Sequence, residues 1–481
     1  MLAGPPKRSE EPLRVVFFTA SYFVLDGVTL TIRKILEACK QAGHETMVIT
    51  AAPIADTLGE LGELAGENLV LVPGMPVPLE GSGTSGHYGY ALGLGLSSDA
   101  RSRLAEFKPH VAHFTVCDLL GMDGVAWAKA NRVALVGTVH SNYCDYIKFY
   151  SAAWWLTPVL RRYIQQFYGA IPTTFVPTKF MKEKLTDEGY GRFTDMQVWG
   201  RGIDLDRFNP KLRCETFRRR NGCANQVKAA AAATTTTPQA ATHNGDAKKL
   251  GNGTSSGSGS GSGSGDESIL IIWVGRLVPE KRPDIWRDVF LQLVKEGFPV
   301  KGLVVGVGPC QGMLEALPGV TVAGWLSGKD LSKAYASADI LLFPSDVETF
   351  GNVTLEALGS GVPAVVEESC SSHLVTDGVE GFTVHQGIGD PSDKQAYEAC
   401  MLRYLDKTRK LLVDKELRER CGSNALLKAA TYSNGAVQGR MIENYFEAYR
   451  SQIGEFGSGG AGSGRGGNNN NGGVVHGGAG S

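Results

Sequence analysis

The sequence predicts an α/β protein made of two doubly wound halves, each a parallel sheet with helices on both faces. Short strand-like runs alternate with segments of helical periodicity from Arg14 onward, which is typical of βα units. In the first unit, apolar residues repeat at helical spacing between a strand at 14–19 and a strand at 46–50. A second series of such units starts at Ile269. A chain of 481 residues has room for two domains of this kind.

The individual strands follow from short β-rich runs between turn signals. The first half is predicted to contain strands at 14–19, 46–50, 69–72, 111–114, 134–139, 174–176 and 196–199. The second half is predicted to contain strands at 269–274, 302–307, 320–323, 340–343 and 364–367. The first helix is expected to carry an apolar stripe formed by Ile32, Ile35, Leu36 and Cys39.

Charge and cysteine content exclude several classes of protein. The chain carries 48 basic and 49 acidic side chains, a net charge of −1, so binding to nucleic acid is not expected. Its nine cysteines are scattered without a close C-x-x-C pair, which indicates a reducing compartment and no zinc knuckle. No run has the apolar length of a secretory signal or a membrane span. We therefore expect a cytoplasmic protein that contacts membranes, if at all, from one side.

Two segments of low complexity flank the second half. Residues 221–267 contain an alanine run, a threonine run and repeated Gly-Ser, and residues 454–481 are rich in Gly and Asn. Such compositions supply no apolar core, so both segments are predicted to be disordered. The remaining chain divides into an N-terminal domain at 13–210, a C-terminal domain at 268–432 and a final helix at 433–450.

Two basic residues follow the first strand of the second half. Arg276 and Lys281 lie in the run Val-Gly-Arg-Leu-Val-Pro-Glu-Lys-Arg-Pro, between that strand and the next helix. Open α/β sheets bind ligands at the carboxyl ends of their strands, and a guanidinium with an ammonium group suits a diphosphate. A solvated basic turn is the alternative interpretation.

A glycine-containing acidic motif follows the fourth predicted strand of the second half. Glu348 precedes Phe350, Gly351 and Asn352, and Glu356 comes eight residues after Glu348 on the following helix. A glycine at the helix start leaves backbone amides open to phosphate, while the two carboxylates can accept hydrogen bonds from sugar and ribose hydroxyls. Alone the acidic pair is a weak signal, but its combination with the basic pair is specific.

In the first half, two further residues lie after strands. Gly27 follows the first strand at the start of a helix, where backbone amides can approach a phosphate. His140 follows the strand at 134–139 and is expected to face the same cleft. Each has an ordinary alternative, because glycine is common in βα turns and strand-end histidines often satisfy only local hydrogen bonds.

Taken together, these residues resemble the retaining glycosyltransferases of family 4, which have the GT-B fold. In that fold two Rossmann-like doubly wound domains face a central cleft that holds the active site. The resemblance spans 14–450 apart from the segment 221–267, and it includes the connector 199–210, which begins Trp-Gly-Arg-Gly-Ile-Asp. It also implies a closing helix at about 434–449 that crosses back to the first domain.

The resemblance implies a nucleotide-sugar donor and gives each candidate residue a role. Arg276 and Lys281 neutralise the diphosphate. Glu356 holds the ribose, and Glu348 with His140 contacts the sugar. The donor-binding set is completed by Gly27, Phe350, Gly351 and Asn352.

Family chemistry retains the anomeric configuration, with the departing phosphate accepting the proton of the acceptor. Leaving-group electrostatics are then the main contribution of the protein. No metal or other cofactor is expected, and the Asp-x-Asp at 204–206 is interpreted as structural because it falls in the connector.

The resemblance is closest to two groups of enzymes and leaves both open. The run 140–150 and the connector 199–210 are similar to GDP-mannose-dependent α-mannosyltransferases and to sulfolipid-forming sulfoquinovosyltransferases, which use UDP-sulfoquinovose. Asn142 favours mannosyl transfer, because the second group usually has another histidine near that position. Asn142, Tyr143 and Tyr146 are assigned to the acceptor side, and the acceptor is expected to be a lipid or glycan. A non-catalytic sugar-nucleotide-binding protein and a sugar-phosphate isomerase on the same fold are further alternatives.

The segment 149–168 is rich in aromatic residues and includes Arg161 and Arg162. An aromatic and basic surface can rest on a bilayer, which predicts peripheral membrane contact. The alternative is that these aromatics pack in the core. A plastid location becomes an option if the sulfolipid interpretation holds.

Overall fold

Two parallel sheets, each covered by helices, form two lobes. They are seen in a computed structural model that describes residues 12–20, 22–23, 27–52, 68–76, 91–140, 154–190, 194–223, 268–387 and 393–458. Each lobe has its own apolar core, and the predicted α/β fold with two doubly wound, Rossmann-like domains is confirmed.

The first lobe is built on parallel strands that run through its centre. Its strands are β1 (Arg14–Thr19), β2 (Glu45–Ala51), β3 (Leu69–Val72), β6 (Val111–Phe114), β7 (Ala134–Thr138), β8 (Thr173–Val176) and β9 (Asp195–Val198), with a separate hairpin of β4 (Gly74–Pro76) and β5 (Ala91–Gly93). The sheet order is β3-β2-β1-β6-β7-β8-β9. In β1, Val16 and Phe18 face one apolar cluster, while Val15 and Phe17 face another, because helices cover both faces.

Helices of the first lobe follow its strands in the βα order that the periodicity predicts. They are α1 (Gly27–Gln41), α2 (Ser98–Phe107), α3 (Leu119–Ala130), α4 (Thr157–Gly169) and α5 (Lys179–Asp187). The short helix α6 (Glu215–Arg220) follows the connector and packs on the second lobe. In α1 the expected stripe packs inward, with Ile32, Ile35 and Cys39 buried and Leu36 partly buried. The apolar spacing thus decides which face of α1 meets the sheet.

The second lobe repeats this plan. Its strands are β10 (Ile269–Val274), β11 (Val300–Val305), β12 (Val320–Val322), β13 (Ile340–Phe343), β14 (Ala364–Glu367) and β15 (Gly381–Val384), in the order β12-β11-β10-β13-β14-β15. Its helices are α7 (Pro283–Lys295), α8 (Gly312–Glu315), α9 (Gly328–Ser337), α10 (Asn352–Gly359), α11 (Glu368–Ser371), α12 (Lys394–Val413) and α13 (Lys415–Ala430). The strand order reverses between β10 and β13, and such a switch point opens a crevice at the carboxyl ends of the strands.

The last helix, α14 (Asn434–Ser458), joins the second lobe back to the first. It packs against α1 and β7 of the first lobe. Gln452 accepts from the backbone N–H of Leu135 at 2.8 Å and donates to the Leu135 carbonyl at 2.9 Å, as a neighbouring strand would. Trp199, in the connector between the lobes, donates from its indole to the Val437 carbonyl at 3.0 Å. The chain therefore crosses between the lobes twice at the same place.

Two boundaries drawn from composition differ from the structure. Residues 221–223 follow α6 directly, and Cys223 is buried in the core of the second lobe, so this short piece is part of the folded chain. Helix α14 continues through 454–458. Residues 224–267 and 459–481 lie outside the described residues. Among the described helices, none combines the length and hydropathy that crossing a membrane requires.

Candidate active site

A pocket of about 190 Å³ lies at the carboxyl edge of the second sheet and reaches the connector between the lobes. It is lined by Arg201, Gly275, Lys281, Phe343, Glu348, Thr349, Phe350, Gly351, Asn352 and Val353. Gly275 follows β10 and Phe343 ends β13, so the pocket sits at the switch point between these adjacent strands. The volume is small for a whole ligand, so it suits one part of an extended ligand.

The structure brings together two residues that are far apart in the sequence, Lys281 and Glu348. The Lys281 ammonium group donates to a carboxylate oxygen of Glu348, and Ser345 donates its hydroxyl to the same oxygen at 3.0 Å. The two side chains are 16% and 13% exposed. Burial acts to raise the pKa of Glu348, but Lys281, Ser345 and Arg201 together lower it below its ordinary value. Glu348 is therefore an anion held against a cation at the edge of the pocket.

The start of α10 lies at the pocket, and its first backbone amides have no partner among the described residues. Gly351 precedes this helix with φ at +90°, a conformation that favours glycine, and no side chain caps the first turn. Asn352 and Val353 in that turn line the pocket. Uncapped amides and the helix dipole together favour an anion at this point.

Arg201 connects this pocket to the first lobe. Its guanidinium donates to the Gly27 carbonyl at 2.9 Å and to the His140 carbonyl at 3.5 Å, and the residue is buried. A Cβ atom on Gly27 would lie 2.6 Å from this guanidinium and 3.4 Å from the side-chain amide nitrogen of Asn352, so a larger residue here would displace the Arg201 side chain. Sequence reasoning assigned no role to Arg201, although an arginine between two glycines in the connector is a signal.

His140 is buried on the first-lobe side of this junction. Its Nε2 atom forms a hydrogen bond with the Thr138 hydroxyl at 2.8 Å. Burial, followed by the positive charge of Arg201 and the proximity of His113, lowers the pKa of His140 well below its ordinary value. The ring is therefore neutral at physiological pH.

Glu356 lies one helical turn beyond the pocket lining, on α10. Burial raises its pKa to about 7, even though the Tyr335 hydroxyl, Arg207 and Lys34 act in the opposite direction. The Tyr335 hydroxyl faces this carboxyl without completing a hydrogen bond of ordinary geometry. Lys34 reaches across from α1 and donates to the Gly202 carbonyl at 2.6 Å, and it too was not singled out from the sequence.

The remaining predicted residues fall in three groups. Arg276 follows Gly275 but is exposed and is not among the described residues that line the pocket. Phe350 is buried and packs its ring against His373 and Tyr432, so it anchors the loop before α10. The acceptor-side residues Asn142, Tyr143 and Tyr146 lie outside the described residues.

The Asp-x-Asp of the connector shapes a turn. One carboxylate oxygen of Asp204 accepts from the backbone N–H groups of Asp206 and Arg207, at 3.0 and 3.1 Å. Such bonds are typical of an aspartate that holds its own loop.

Comparison with known proteins defines the class of this chain. The description "Glycosyltransferase Family 4" matches residues 25–207, in the first lobe and connector. The description "Glycosyl transferases group 1" matches residues 268–407, in the second lobe. Sucrose-phosphate synthase of Thermosynechococcus elongatus has a similar fold, with a TM-score of 0.61 at 13% identity over 91% of this chain and 100% of that one. The class is that of glycosyltransferases with the GT-B fold.

Three relatives are similar over most of their length. The sulfoquinovosyl transferase SQD2 of Arabidopsis thaliana is 26% identical over 450 residues, 92% of this chain and 75% of that protein. A GDP-mannose-dependent alpha-mannosyltransferase of Corynebacterium glutamicum is 26% identical over 374 residues, 77% of this chain and 76% of that protein. The alpha-monoglucosyldiacylglycerol synthase of Acholeplasma laidlawii is 24% identical over 388 residues, 77% and 84% of the two chains. The chain carries a family 4 glycosyltransferase domain at 25–207 and a group 1 glycosyltransferase domain at 268–407, and the resemblance drawn from its motifs is confirmed.

Proposed function

We propose that this enzyme transfers a hexosyl group, with mannose as the first candidate, from a nucleotide diphosphate sugar to a lipid or glycan acceptor with retention of configuration. The observation that carries the proposal is the convergence of Lys281, Glu348, Arg201 and the uncapped start of α10 at one pocket. A cation and free amides suit the diphosphate, and a fixed carboxylate suits the sugar hydroxyls. Arg276 is exposed and follows Gly275 of the pocket lining, and its positive charge adds to the attraction for the diphosphate when the donor binds.

The proposed chemistry places the negative charge of the leaving group at this pocket. As the glycosidic bond to the diphosphate lengthens, Lys281 and the α10 amides stabilise the charge that develops on the phosphate oxygens. That phosphate then takes the proton of the acceptor hydroxyl on the same face of the sugar. Glu348 and His140 orient the sugar, and Glu356 receives the ribose. No metal is assigned to these steps, since the protein already supplies the positive charge.

A lipid acceptor is favoured by an exposed apolar surface on the first lobe. The first turns of α3 and α4, the helical turn just before α4, and the β4–β5 hairpin with the residue after it present large apolar side chains to solvent: Met75, Leu92, Leu94, Leu119, Met122, Trp155, Leu156 and Val159. α3 and α4 follow the adjacent strands β6 and β7, so their starts share one edge of the sheet. Arg162 is exposed one turn after Val159, and a basic residue beside an apolar surface suits an anionic bilayer. We propose peripheral membrane contact through this surface, here called the apolar edge.

The described residues of the aromatic segment 149–168 include both buried and exposed aromatic side chains, so core packing and surface exposure each hold for part of it. Phe167 and Tyr168 are buried in the core, as the alternative holds, while Trp155 is 64% exposed on the apolar edge. Phe149 and Tyr150 lie outside the described residues.

Sulfoquinovosyl transfer is the second candidate. It is supported by the Arabidopsis relative, which matches 92% of this chain, against 77% for the mannosyltransferase at the same identity. A location on a plastid membrane would then follow, whereas mannosyl transfer suits a cytoplasmic membrane surface. A sugar-nucleotide-binding protein without transfer is the candidate of another class.

A donor screen tests the proposal. The full chain is incubated with GDP-mannose, UDP-glucose or UDP-sulfoquinovose and with vesicles that contain diacylglycerol or phosphatidylinositol, and products are identified by mass and by anomeric configuration. We expect transfer from one donor with retention, and a matching rise in thermal stability, since ligand at 100 times its Kd stabilises by about 2.7 kcal/mol. Stabilisation by a nucleotide sugar without any transfer would favour the binding-only alternative.

A further inference from the structure

A hydrogen-bonded chain of buried side chains ends at His140. Tyr445 on α14 contacts His113 Nδ1 on β6 through its hydroxyl, at 2.6 Å. His113 Nε2 contacts the Thr138 hydroxyl at 3.0 Å, and that hydroxyl contacts His140 Nε2 at 2.8 Å. Each of the four side chains is at most 6% exposed. This buried relay connects the closing helix to the candidate catalytic histidine.

Both histidine rings in the relay are neutral. Burial lowers the pKa of His113 to about 3. Burial, then Arg201 and His113, lower the pKa of His140 well below its ordinary value. A neutral imidazole has one N–H donor and one acceptor nitrogen, so each ring passes a hydrogen bond in a single direction.

In one direction of the hydrogens, the donor left over is the Nδ1–H of His140. His140 is 6% exposed, whereas the other three residues of the relay are fully buried. If Tyr445 donates to His113 Nδ1, then His113 donates from Nε2 to Thr138, and Thr138 donates to the Nε2 atom of His140. The reverse direction leaves the buried hydroxyl hydrogen of Tyr445 with no acceptor among the described residues. A buried donor without an acceptor is costly, so the first direction is the stable one.

We propose that Tyr445, His113 and Thr138 are positioning residues that hold His140 as the neutral Nδ1–H tautomer. The inference rests on the proposed function, in which His140 contacts the donor sugar. In this tautomer the ring donates a hydrogen bond from Nδ1 to a sugar oxygen. It cannot accept the proton of the incoming hydroxyl, because Nδ1 already carries a hydrogen and Nε2 is occupied by Thr138. The leaving phosphate is then the base, and a docked α14 is needed for an ordered His140.

Histidine tautomers test this assignment without any measurement of activity. The full chain is labelled with ¹⁵N in its histidine rings, and the two signals are assigned by their loss in His113→Gln and His140→Gln. Long-range ¹H–¹⁵N spectra should show protonated Nδ1 in His140 and protonated Nε2 in His113 between about pH 6 and 8. Protonated Nε2 in His140, or an imidazolium at neutral pH, would overturn the assignment, whatever the reaction proves to be.

Kinetics of matched variants test the positioning role. We expect Tyr445→Phe and Thr138→Val each to lower kcat by ~3- to 10-fold, the effect of one hydrogen bond, with little change in the KM for the donor. Thr138→Ser keeps the hydroxyl and should restore the rate. Tyr449→Phe is the control, because Tyr449 lies one turn later on α14 and packs on His110 outside the relay.

Two outcomes separate the relay from the proposed function. If Tyr445→Phe behaves like Tyr449→Phe in both rate and His140 tautomer, the relay has no positioning role. If His140→Ala keeps full transfer while the tautomers are as expected, the relay stands as a structural feature and the sugar-contact role of His140 is wrong.

Discussion

In the proposed function, the ion pair of Lys281 with Glu348 keeps both charged groups in place at the pocket before the donor binds. Each group neutralises the other while both are largely buried, which avoids an unpaired charge at the edge of the pocket. A diphosphate can replace Glu348 as the partner of Lys281, and the carboxylate is then free for sugar hydroxyls. In this proposal Lys281 and Glu348 bind each other in the free enzyme, and bind the diphosphate and the sugar when the donor is present.

Replacement of this cation should reduce transfer strongly. We expect Lys281→Ala to lower kcat by ~10²-fold, as the loss of other charge-stabilising donors does, and Arg276→Ala to act in the same direction. Lys295→Ala is the control, since Lys295 is exposed at the far end of α7. Lys281→Ala also leaves the Glu348 carboxylate without its cation, which can destabilise the fold. The double variant Lys281→Ala/Glu348→Gln removes both charges, so comparison of the melting temperatures shows whether a lost rate comes from lower stability or from the missing cation. Unchanged rates in the Lys281 and Arg276 variants would overturn their assignment to the diphosphate.

Glu356 should make the stability of the unliganded protein depend on pH. Its pKa is about 7 in the folded protein and 4.5 in an ordinary glutamate, so the folded state keeps a proton that the unfolded state loses. The stabilisation is complete below pH 4.5 and is lost as pH rises through 7. In the unmodified protein we expect the free energy of unfolding, measured with urea, to fall by about 2–3 kcal/mol between pH 5 and 8. In Glu356→Gln we expect this fall to be absent. The same pH dependence in both proteins would mean that Glu356 is ionised throughout.

At the scale of elements, the strands of both lobes were predictable and some short pieces were not. Buried apolar runs such as β1, β10 and β13 were placed to the residue, because helices cover both faces of these strands. The hairpin of β4 and β5 has three residues in each strand, too few for a pattern, and β15 has the mixed sequence Gly-Phe-Thr-Val, which lacks the continuous apolar run of β13.

Residues of the candidate site were predictable from the sequence only where they lie in the loop directly after a strand. Lys281 and Glu348 belong to such loops, and the structure pairs them. Arg201 was not assigned, because its role depends on the connector folding back between the lobes. The relay could not be predicted from the sequence either, because Tyr445 is 332 residues from His113 and meets it only when α14 packs on the first lobe.

We expect the exposed apolar residues at the start of α4 to contribute to membrane binding. We expect Trp155→Ala and Val159→Asp to reduce co-flotation with vesicles of anionic phospholipid, because both side chains are about two-thirds exposed on the apolar edge. Leu427→Asp is the matched control, since Leu427 is 71% exposed on α13 in the second lobe. Equal flotation of all three variants and the unmodified protein would place membrane contact elsewhere.

At the scale of the whole molecule, we expect the lobes to close on the donor by movement at the two crossings of the chain. The connector and α14 meet at Trp199, so a movement there changes the separation of Gly27 from Asn352. We expect the radius of gyration, measured by X-ray scattering, to fall when the donor is added, because closure excludes water from the reacting groups. An unchanged radius under saturating donor would contradict closure.

The most direct test of donor binding between the lobes is a crystal structure of the enzyme with its nucleoside diphosphate. We expect the two phosphates to lie within hydrogen-bond distance of Lys281 and of the first amides of α10, with Glu348 released from Lys281. Density for the diphosphate at any other part of the molecule, with the ion pair of Lys281 and Glu348 intact, would contradict the account.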